Sequence, residues 1–222
     1  MSEILVSSKL VCVALNDAGQ RKALQATFEA APYNKPPTQP VLYYKPRNTW
    51  AASGAVIPWA TDADGDAAGS MVVGGSLGVV IGQRTCRVSE EDALSYVGGY
   101  TVVGDYSLPE ATYYRPDVRG KCQDGTGPVG PAVTPASDVA NPDALEVVIS
   151  VNGNASSRFP LSEMHDSVAA LISTISKIMT LQPGDVIATG FRGERTPVAP
   201  GDSVAIEIAG VGTLENTLGG RD

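Results

Sequence analysis

The chain has 222 residues, a formal net charge of -8 and a hydrophobic fraction of 43%. This length fits one large domain, and the hydrophobic content is sufficient for a core and too high for a disordered chain. The acidic balance, with no long basic cluster, argues against nucleic acid and anionic membranes as partners.

Short apolar runs bounded by Gly, Pro and polar residues predict strands along most of the chain. The run at 71–81 is interrupted by glycines and has the continuous apolar character of a strand buried on both faces. Asn152-Gly153 is a hairpin signal, and Pro-Gly-Asp at 183–185 and 200–202 predicts two tight turns. The predicted strands are residues 10–15, 41–44, 56–59, 71–81, 100–103, 128–133 and 145–151.

Helical patterns are few. Residues 16–17 are placed to cap a helix over 18–30, and residues 89–97 predict a short helix. The clearest helix is predicted over 163–179, capped by Ser162, because its apolar residues recur at helical spacing. Two or three helices beside about ten strands do not alternate as in a doubly wound sheet. We therefore predict an α+β fold that is mainly β, a mixed β-sandwich or β-roll with a few peripheral helices.

Chemistry-bearing residues concentrate where a central apolar run ends. Asp105 follows that run, and a loop of about a dozen residues leads to Lys121 and Asp124. Two carboxylates and an ammonium group, delivered from loops beside a rigid strand, predict a reaction centre. The alternative is a salt-bridged trio that only fixes the loop. Lys45 and Arg47, at the end of another strand, are either ligands for an anion or solvated loop charges.

The sequence offers little other chemistry. The three cysteines are widely spaced and form no CxxC pair, so neither a disulfide framework nor a structural zinc site is predicted. The single histidine, His165, is expected to pack or to lie at the surface. No signal-peptide pattern is present, and no apolar run approaches about 18 residues. We expect a soluble, cytoplasmic protein.

Several motifs occur together, and in the order typical of one family, over about residues 41–218. The motifs are residues 45–46, 79–82, 97–102, 105–107, 120–121, 124–125, 127–131, 151–153, 181–190 and 210–216. On these motifs the chain resembles the fumarylacetoacetate hydrolase family. The resemblance implies a single domain of that fold over residues 1–222, with an N-terminal strand–helix appendage at 1–40 and the family core at 41–218.

Within the family, residues 45–49, 107–110, 114–116 and 121–125 are similar to the N-terminal half of the bifunctional isomerase/decarboxylases of 4-hydroxyphenylacetate (homoprotocatechuate) degradation, an aromatic catabolism. In those proteins two family domains lie in tandem. The resemblance implies that the chain is a decarboxylase/isomerase subunit, which combines lyase and isomerase activities. Its expected substrates are 5-oxopent-3-ene-1,2,5-tricarboxylate and 2-hydroxyhepta-2,4-diene-1,7-dioate. It also implies a homodimer, or a heteromer with a homologous second subunit. The alternative is a catalytically silent partner of a metal-bearing homologous half, and hydrolysis of a 1,3-diketone is a weaker third possibility.

The resemblance also implies a divalent cation, Mg²⁺, held by an E-x-E pair and by the Asp of a later D-x-S. In this chain the E-x-E positions fall on Gly74 and Ser76, and only Asp105 remains, so no metal ligand set is predicted. The residues predicted as catalytic are Lys121, Asp105 and Asp124. The residues predicted to bind an oxo-polycarboxylate substrate are Lys45, Arg47, Arg115 and Thr189.

Overall fold

Two β-sheets form most of the computed structural model, in which the described residues are 6, 8–110, 112–115 and 117–221. The predicted mainly β fold with a few helices is confirmed. The strands are β1 (Leu10–Ala14), β2 (Val41–Tyr44), β3 (Trp50–Ala51), β4 (Val56–Ile57), β5 (Met71–Ile81), β6 (Val97–Ser107), β7 (Gly127–Pro135), β8 (Glu146–Val151), β9 (Asn154–Pro160), β10 (Val186–Ala188), β11 (Thr196–Val198), β12 (Ser203–Ile208) and β13 (Gly212–Leu218). The α-helices are α1 (Ala18–Ala23), α2 (Gln25–Glu29), α3 (Val118–Lys121) and α4 (Val168–Ile178).

The larger sheet is organised around the antiparallel pair β5 and β6. Its order is β2-β1-β10-β5-β6-β7-β3, and β11 pairs with β5 beside β10. The smaller sheet has the order β4-β13-β12-β8-β9. The register of the central pair sets Gly74 opposite Asp105. The larger sheet therefore carries the predicted reaction centre on a strand with neighbours on both sides.

Glycines in β5 let the two sheets approach each other closely. A Cβ placed on Gly75 would lie 3.0 Å from Cγ1 of Val147 and would press on the side chain of Ile206, both from the smaller sheet. Val147 and Ile206 are fully buried. The glycines of β5 were predicted to mark places of close backbone approach, and at Gly75 the contact between the two sheets explains the glycine.

The N-terminal segment predicted as an appendage contributes a strand to the larger sheet. β1 pairs in parallel with β10 and antiparallel with β2. Residues 1–5 and 7 of that segment lie outside the described residues. No helix within the described ranges has the length and apolar character needed to cross a membrane.

The helix predicted over residues 18–30 is present but is divided at Leu24 into α1 and α2. Its predicted cap is confirmed, because the Asp17 carboxylate accepts hydrogen bonds from the N–H groups of Gly19 and Gln20 at 2.8 and 3.2 Å. The helix predicted over 89–97 is wrong in extent: only a 3-10 turn is formed, at Ala93–Tyr96. Residues 90–92 form a turn before that segment, and the chain is already extended at Val97, where β6 begins.

The start predicted for the long helix at residue 163 is also wrong. α4 begins at Val168, and its cap is Ser167, whose hydroxyl accepts a hydrogen bond from the N–H of Ala170 at 3.1 Å. The preceding backbone is held by Asn16, which accepts at 2.9 Å from the N–H of Asp166. This contact with Asn16, which is distant in the sequence, thus keeps the residues before Val168 out of the helix, although their apolar residues have helical spacing.

Candidate active site

Asp105 lies at the centre of a buried ionic cluster. One of its carboxylate oxygens, Oδ2, accepts a hydrogen bond from the Tyr43 hydroxyl at 2.7 Å. The same oxygen lies 3.2 Å from Nζ of Lys121 and 3.1 Å from Nη1 of Arg195. The other oxygen, Oδ1, lies 2.9 Å from Nζ of Lys45. The cluster therefore joins residues from β2, its following loop, β6, α3 and the loop before β11.

The three cations determine the charge state of Asp105. Burial alone would raise the pKa of Asp105, but Lys121, Lys45 and Arg195 together outweigh burial and hold that pKa well below its usual range. For the cation Arg195 burial acts in the opposite direction and would lower the pKa. Asp105 and Tyr43 outweigh burial and raise the pKa of Arg195 above its ordinary value. At neutral pH the site therefore contains an ionised carboxylate beside a charged guanidinium.

Lys45 is the most deeply enclosed of the cations. Its side chain is 0% exposed, and Nζ donates to the carbonyl oxygens of Tyr106 and Thr126 at 3.0 and 3.1 Å and to the Thr126 hydroxyl at 3.1 Å. Burial lowers the pKa of Lys45, while Asp105 opposes that change. These contacts fix Lys45 against Asp105. The substrate-binding role of Lys45 stays a prediction, and the Lys45 ammonium group has no exposed surface for a substrate to contact.

Lys121 connects the buried cluster to a carboxylate nearer the surface. Its Nζ lies 3.1 Å from Oε2 of Glu110 and 3.2 Å from the Ser107 hydroxyl. The side chain of Lys121 is 6% exposed and that of Glu110 is 16% exposed. α3, which ends with Lys121, is held by Asp117, whose carboxylate accepts from the N–H of Gly120 at 2.9 Å. Lys121 is thus positioned between two carboxylates of unequal burial.

A cavity of about 180 Å³ adjoins this cluster, and Lys121, Arg195 and Glu110 are among its lining residues. Two larger grooves, of about 640 and 430 Å³, also have Glu110 and Tyr113 in their walls. The larger groove runs over α1 and the loop at 192–194 rather than over Asp105. Of these three cavities, the small one has both Lys121 and Arg195 in its wall.

The remaining predicted residues lie apart from the contacts of Asp105 given above. Asp124 is exposed, and its carboxylate accepts a hydrogen bond from Asn48 Nδ2 at 2.7 Å. Arg47 and Arg115 are exposed, and Arg115 lines the groove of about 430 Å³. Thr189 is buried, and within the described part of the chain its hydroxyl has no hydrogen-bond partner. The roles assigned to these four residues stay predictions, and Pro116 of the sequence motif lies outside the described residues.

Three residues of the site were not predicted: Tyr43, Glu110 and Arg195. Tyr43 sits inside a strand pattern, and Arg195 is 90 residues away from Asp105 in the chain, so spacing gives no indication of their contact. One signal was available for Arg195. Gly74 opposite Asp105 leaves space in the sheet that a long side chain from elsewhere can fill.

Comparison with known proteins agrees with this architecture. A family model described as fumarylacetoacetate (FAA) hydrolase C-terminal matches residues 9–219. The chain belongs to the fumarylacetoacetate hydrolase family. The family predicted from the motifs is confirmed, and the matched region includes every member of the Asp105 cluster.

Curated relatives of this fumarylacetoacetate hydrolase family chain include enzymes of two lengths. The 4-hydroxyphenylacetate degradation bifunctional isomerase/decarboxylase of Escherichia coli is 35% identical over 209 residues, which are 94% of this chain and 46% of that protein. The chain therefore spans about half the length of this relative. The oxaloacetate tautomerase FAHD2, mitochondrial, of Oryza sativa subsp. japonica is 35% identical over 217 residues, which are 96% of this chain and 91% of that protein.

Solved structures show the same fold. The 2-hydroxyhepta-2,4-diene-1,7-dioate isomerase from Mycobacterium marinum is 30% identical, with a TM-score of 0.77 over 98% of this chain and 76% of that one. The fumarylpyruvate hydrolase from Pseudomonas aeruginosa, solved in complex with Mn²⁺ and pyruvate, is 26% identical, with a TM-score of 0.79 over 96% of this chain and 90% of that one. The relatives of this family member thus include isomerases, decarboxylases, tautomerases and hydrolases.

The residues around Asp105 do not fit a hard divalent cation such as Mg²⁺. A Cβ placed on Gly74 would lie 2.9 Å from Cζ of Arg195 and would overlap its Nη1. The Ser76 hydroxyl is used within the protein, since it accepts from the N–H of Gly190 at 3.2 Å. Among the described residues, no group of three or more His, Cys, Asp or Glu side chains is arranged to hold a metal. Divalent cations of this kind need several oxygen ligands, whereas Asp105 is surrounded by cations.

Proposed function

We propose that the chain is an enzyme that moves a small oxo acid between its enol and keto forms through an enolate, and that it decarboxylates substrates that can lose CO₂ to form such an enolate. The observation that carries this proposal is the pair of cations, Lys121 and Arg195, at one small cavity beside an ionised carboxylate. Preorganised positive charge is a strong means of stabilising a developing oxyanion.

Each residue of the cluster has a role that follows from its contacts. Lys121 and Arg195 receive the negative charge that develops on the substrate oxygen. Glu110, 3.1 Å from Lys121 in the cavity wall, carries the proton to or from carbon as general acid and base. Asp105, ionised and fully buried, holds the two cations in place, and Lys45 positions Asp105.

Decarboxylation uses the same charge stabilisation. When the carbon–carboxylate bond of 5-oxopent-3-ene-1,2,5-tricarboxylate breaks, CO₂ leaves and the bonding electrons pass through the conjugated system to the oxo oxygen. Lys121 and Arg195 stabilise the resulting dienolate, and a proton delivered to carbon completes the keto product. The same proton transfer isomerises 2-hydroxyhepta-2,4-diene-1,7-dioate. No oxidant or reductant is needed, and the relationship to the Escherichia coli isomerase/decarboxylase supports these substrates.

Oxaloacetate is a second candidate substrate. The rice oxaloacetate tautomerase matches this chain over 91% of its own length, whereas the isomerase/decarboxylase is about twice as long as the region matched. Oxaloacetate tautomerisation is also the simpler half of the proposed chemistry, because it requires only the enolate and the proton transfer. The tricarboxylate and oxaloacetate can therefore both be used to test the roles proposed for the residues around Asp105.

The experiment assays the purified chain alone with both substrates and compares Lys121→Ala with Lys177→Ala. Lys177 is an exposed lysine on α4 and serves as the matched control. We expect Lys121→Ala to lower kcat by roughly 10²–10³-fold, the usual result of removing one oxyanion-stabilising group, and Lys177→Ala to leave kcat unchanged. Full activity in Lys121→Ala would contradict the proposed role.

The same assay separates the proposal from the silent-partner alternative, which the comparisons do not favour. Turnover by the chain alone supports an enzyme with its own active site. Turnover that appears only when a homologous second subunit is added would instead support the heteromer, with this chain as a partner. A homodimer or heteromer remains the expected assembly.

A further inference from the structure

Arg195 occupies the space beside Asp105 that Gly74 leaves open. Gly74 and Asp105 are register partners on β5 and β6. Nη1 of Arg195 lies 3.1 Å from Oδ2 of Asp105, and it would overlap a Cβ at position 74. The guanidinium is therefore inserted against the sheet, at the place where any side chain at position 74 would begin.

Arg195 is also held there by the ring of Phe191. Its Cζ lies 4.3 Å from the centroid of the Phe191 ring, a cation–π contact. A Cβ at position 74 would also lie 2.9 Å from Cδ1 of Phe191, so the ring and the guanidinium share the space above the glycine. The side chain of Arg195 is 16% exposed and lines the cavity of about 180 Å³. It is therefore fixed and still within reach of a ligand.

The charges of the cluster favour an anion over a cation as the ligand. Lys45, Lys121 and Arg195 contribute three positive charges, and Asp105 and Glu110 contribute two negative charges. The sum is one positive charge in a largely buried site, where charges interact more strongly than in water. A divalent cation would raise the charge to three, while the single carboxylate of a 2-oxo acid would neutralise it and the enolate dianion would bring it to minus one, so either anion leaves a smaller charge than a divalent cation does.

We infer that the guanidinium of Arg195, together with the ammonium of Lys121, replaces a divalent cation in this chain and binds a 2-oxo acid or its enolate directly. A guanidinium presents parallel N–H donors that match two neighbouring oxygen atoms, such as the carboxylate and enolate oxygens of that ligand class. This inference rests on the proposed function for the class of ligand. It adds that binding requires no metal ion.

The test uses oxalate, a planar dianion with the oxygen arrangement of such an enolate, and Mn²⁺ as separate probes. Calorimetric titration of the unaltered protein in EDTA is expected to show oxalate binding. After removal of EDTA, titration with Mn²⁺ alone is expected to show no binding. Tight Mn²⁺ binding, or oxalate binding that appears only with Mn²⁺, would overturn the inference. Neither titration depends on a variant that must fold.

Two variants then assign the binding to Arg195. Arg195→Gln is expected to weaken oxalate binding at least ten-fold, and Arg158→Gln is expected to leave it unchanged. Arg158 is the matched control because it is 61% exposed and pairs with Glu146 on the smaller sheet. In Arg195→Ala, added guanidinium ions are expected to restore part of the oxalate binding, which a purely structural role would not produce. Equal binding in all variants would overturn the assignment.

Failure of this inference is distinguishable from failure of the proposed function. Metal-free oxalate binding through Arg195, without turnover of either oxo-acid substrate, would retain the inference and contradict the proposed reaction. Turnover that requires Mn²⁺ or Mg²⁺ would retain the reaction and overturn the inference.

Discussion

At the scale of single residues, the buried charge of Asp105 is the feature on which the site depends. Lys45 is 0% exposed, and Lys121 and Arg195 are 6% and 16% exposed. Each of these cations has lost most of its contact with water and depends on the same carboxylate. Asp105 therefore has a structural role for the cluster that is separable from the chemistry proposed for Lys121 and Arg195.

Replacing Asp105 with Asn is expected to destabilise the protein by about 3–5 kcal/mol, the usual cost of removing one partner from a buried ion pair. The exposed Asp124 offers a control, and Asp124→Asn is expected to change stability by no more than about 0.5 kcal/mol. Urea unfolding at neutral pH measures both variants. Similar values for the two variants would mean that the cluster contributes little to stability.

The pH dependence of stability has a defined direction at Asp105. Its pKa in the folded protein is well below the usual value, so the folded state binds fewer protons there than the unfolded state. The resulting stabilisation is fully present above the unfolded pKa of about 3.9 and is lost as the pH falls below that value toward the folded pKa. The difference in stability between wild type and Asp105→Asn is thus expected to be constant from pH 7 to about pH 5 and to shrink below about pH 4. A difference that grows with acid would contradict this direction.

At the scale of elements, the glycines of β5 serve two purposes. Gly74 faces the site and admits Arg195, whereas Gly75 admits Val147 and Ile206 from the other sheet. Neighbouring residues of a strand point to opposite faces, so one strand can open space for the ionic cluster on one side and for the apolar core on the other.

Gly75→Ala is expected to destabilise the protein by about 1–3 kcal/mol because the new methyl group overpacks the interface between sheets. Gly69 is the matched control: a Cβ there meets no atom within 4 Å, so Gly69→Ala is expected to be neutral or slightly stabilising. The melting temperatures of the two variants, measured by thermal unfolding, test this expectation. Equal melting temperatures would show that the sheets can separate enough to accept the methyl group.

Sequence patterns predicted the elements that are determined by residues close together in the chain. The strands at Val41–Tyr44 and Met71–Ile81 and the hairpin at Asn152-Gly153 follow from composition and turn chemistry, and the structure contains each of them. The start of α4 was missed because Asn16, about 150 residues earlier in the chain, binds the preceding turn. An interaction of that kind has no signature in the helical segment itself.

The same distinction applies to the candidate site. Asp105 and Lys121 were predicted because they are close in sequence and their residue types suggest chemistry, and the structure places them 3.2 Å apart. Arg195 was missed because its contact with Asp105 depends on how the loop before β11 folds over β5. Asp124 is near Lys121 in sequence, yet the structure leaves it exposed beside Asn48. Proximity in the chain therefore indicated two members of the cluster, Asp105 and Lys121.

At the scale of the whole molecule, the larger sheet assembles a cationic site from segments spread between residues 43 and 195. β5 and β6 form its rigid centre, and the residues proposed to meet a ligand come from α3 and from loops around the two strands, as is usual for sites built on a scaffold. The chain carries a net charge of -8, while the cluster has a net positive charge. We therefore expect the local field, rather than the overall charge, to govern binding of the proposed anionic substrate at this cavity.

The most direct test of an arginine-based site is turnover of an oxo-acid substrate by the intact protein in the presence of EDTA. The enol form of oxaloacetate is a suitable substrate, and the rate is compared with that of the same protein supplied with Mg²⁺. We predict equal rates in the two conditions, because Arg195 and Lys121 provide the positive charge that the enolate needs. A rate that is lost in EDTA and restored by Mg²⁺ would contradict this prediction.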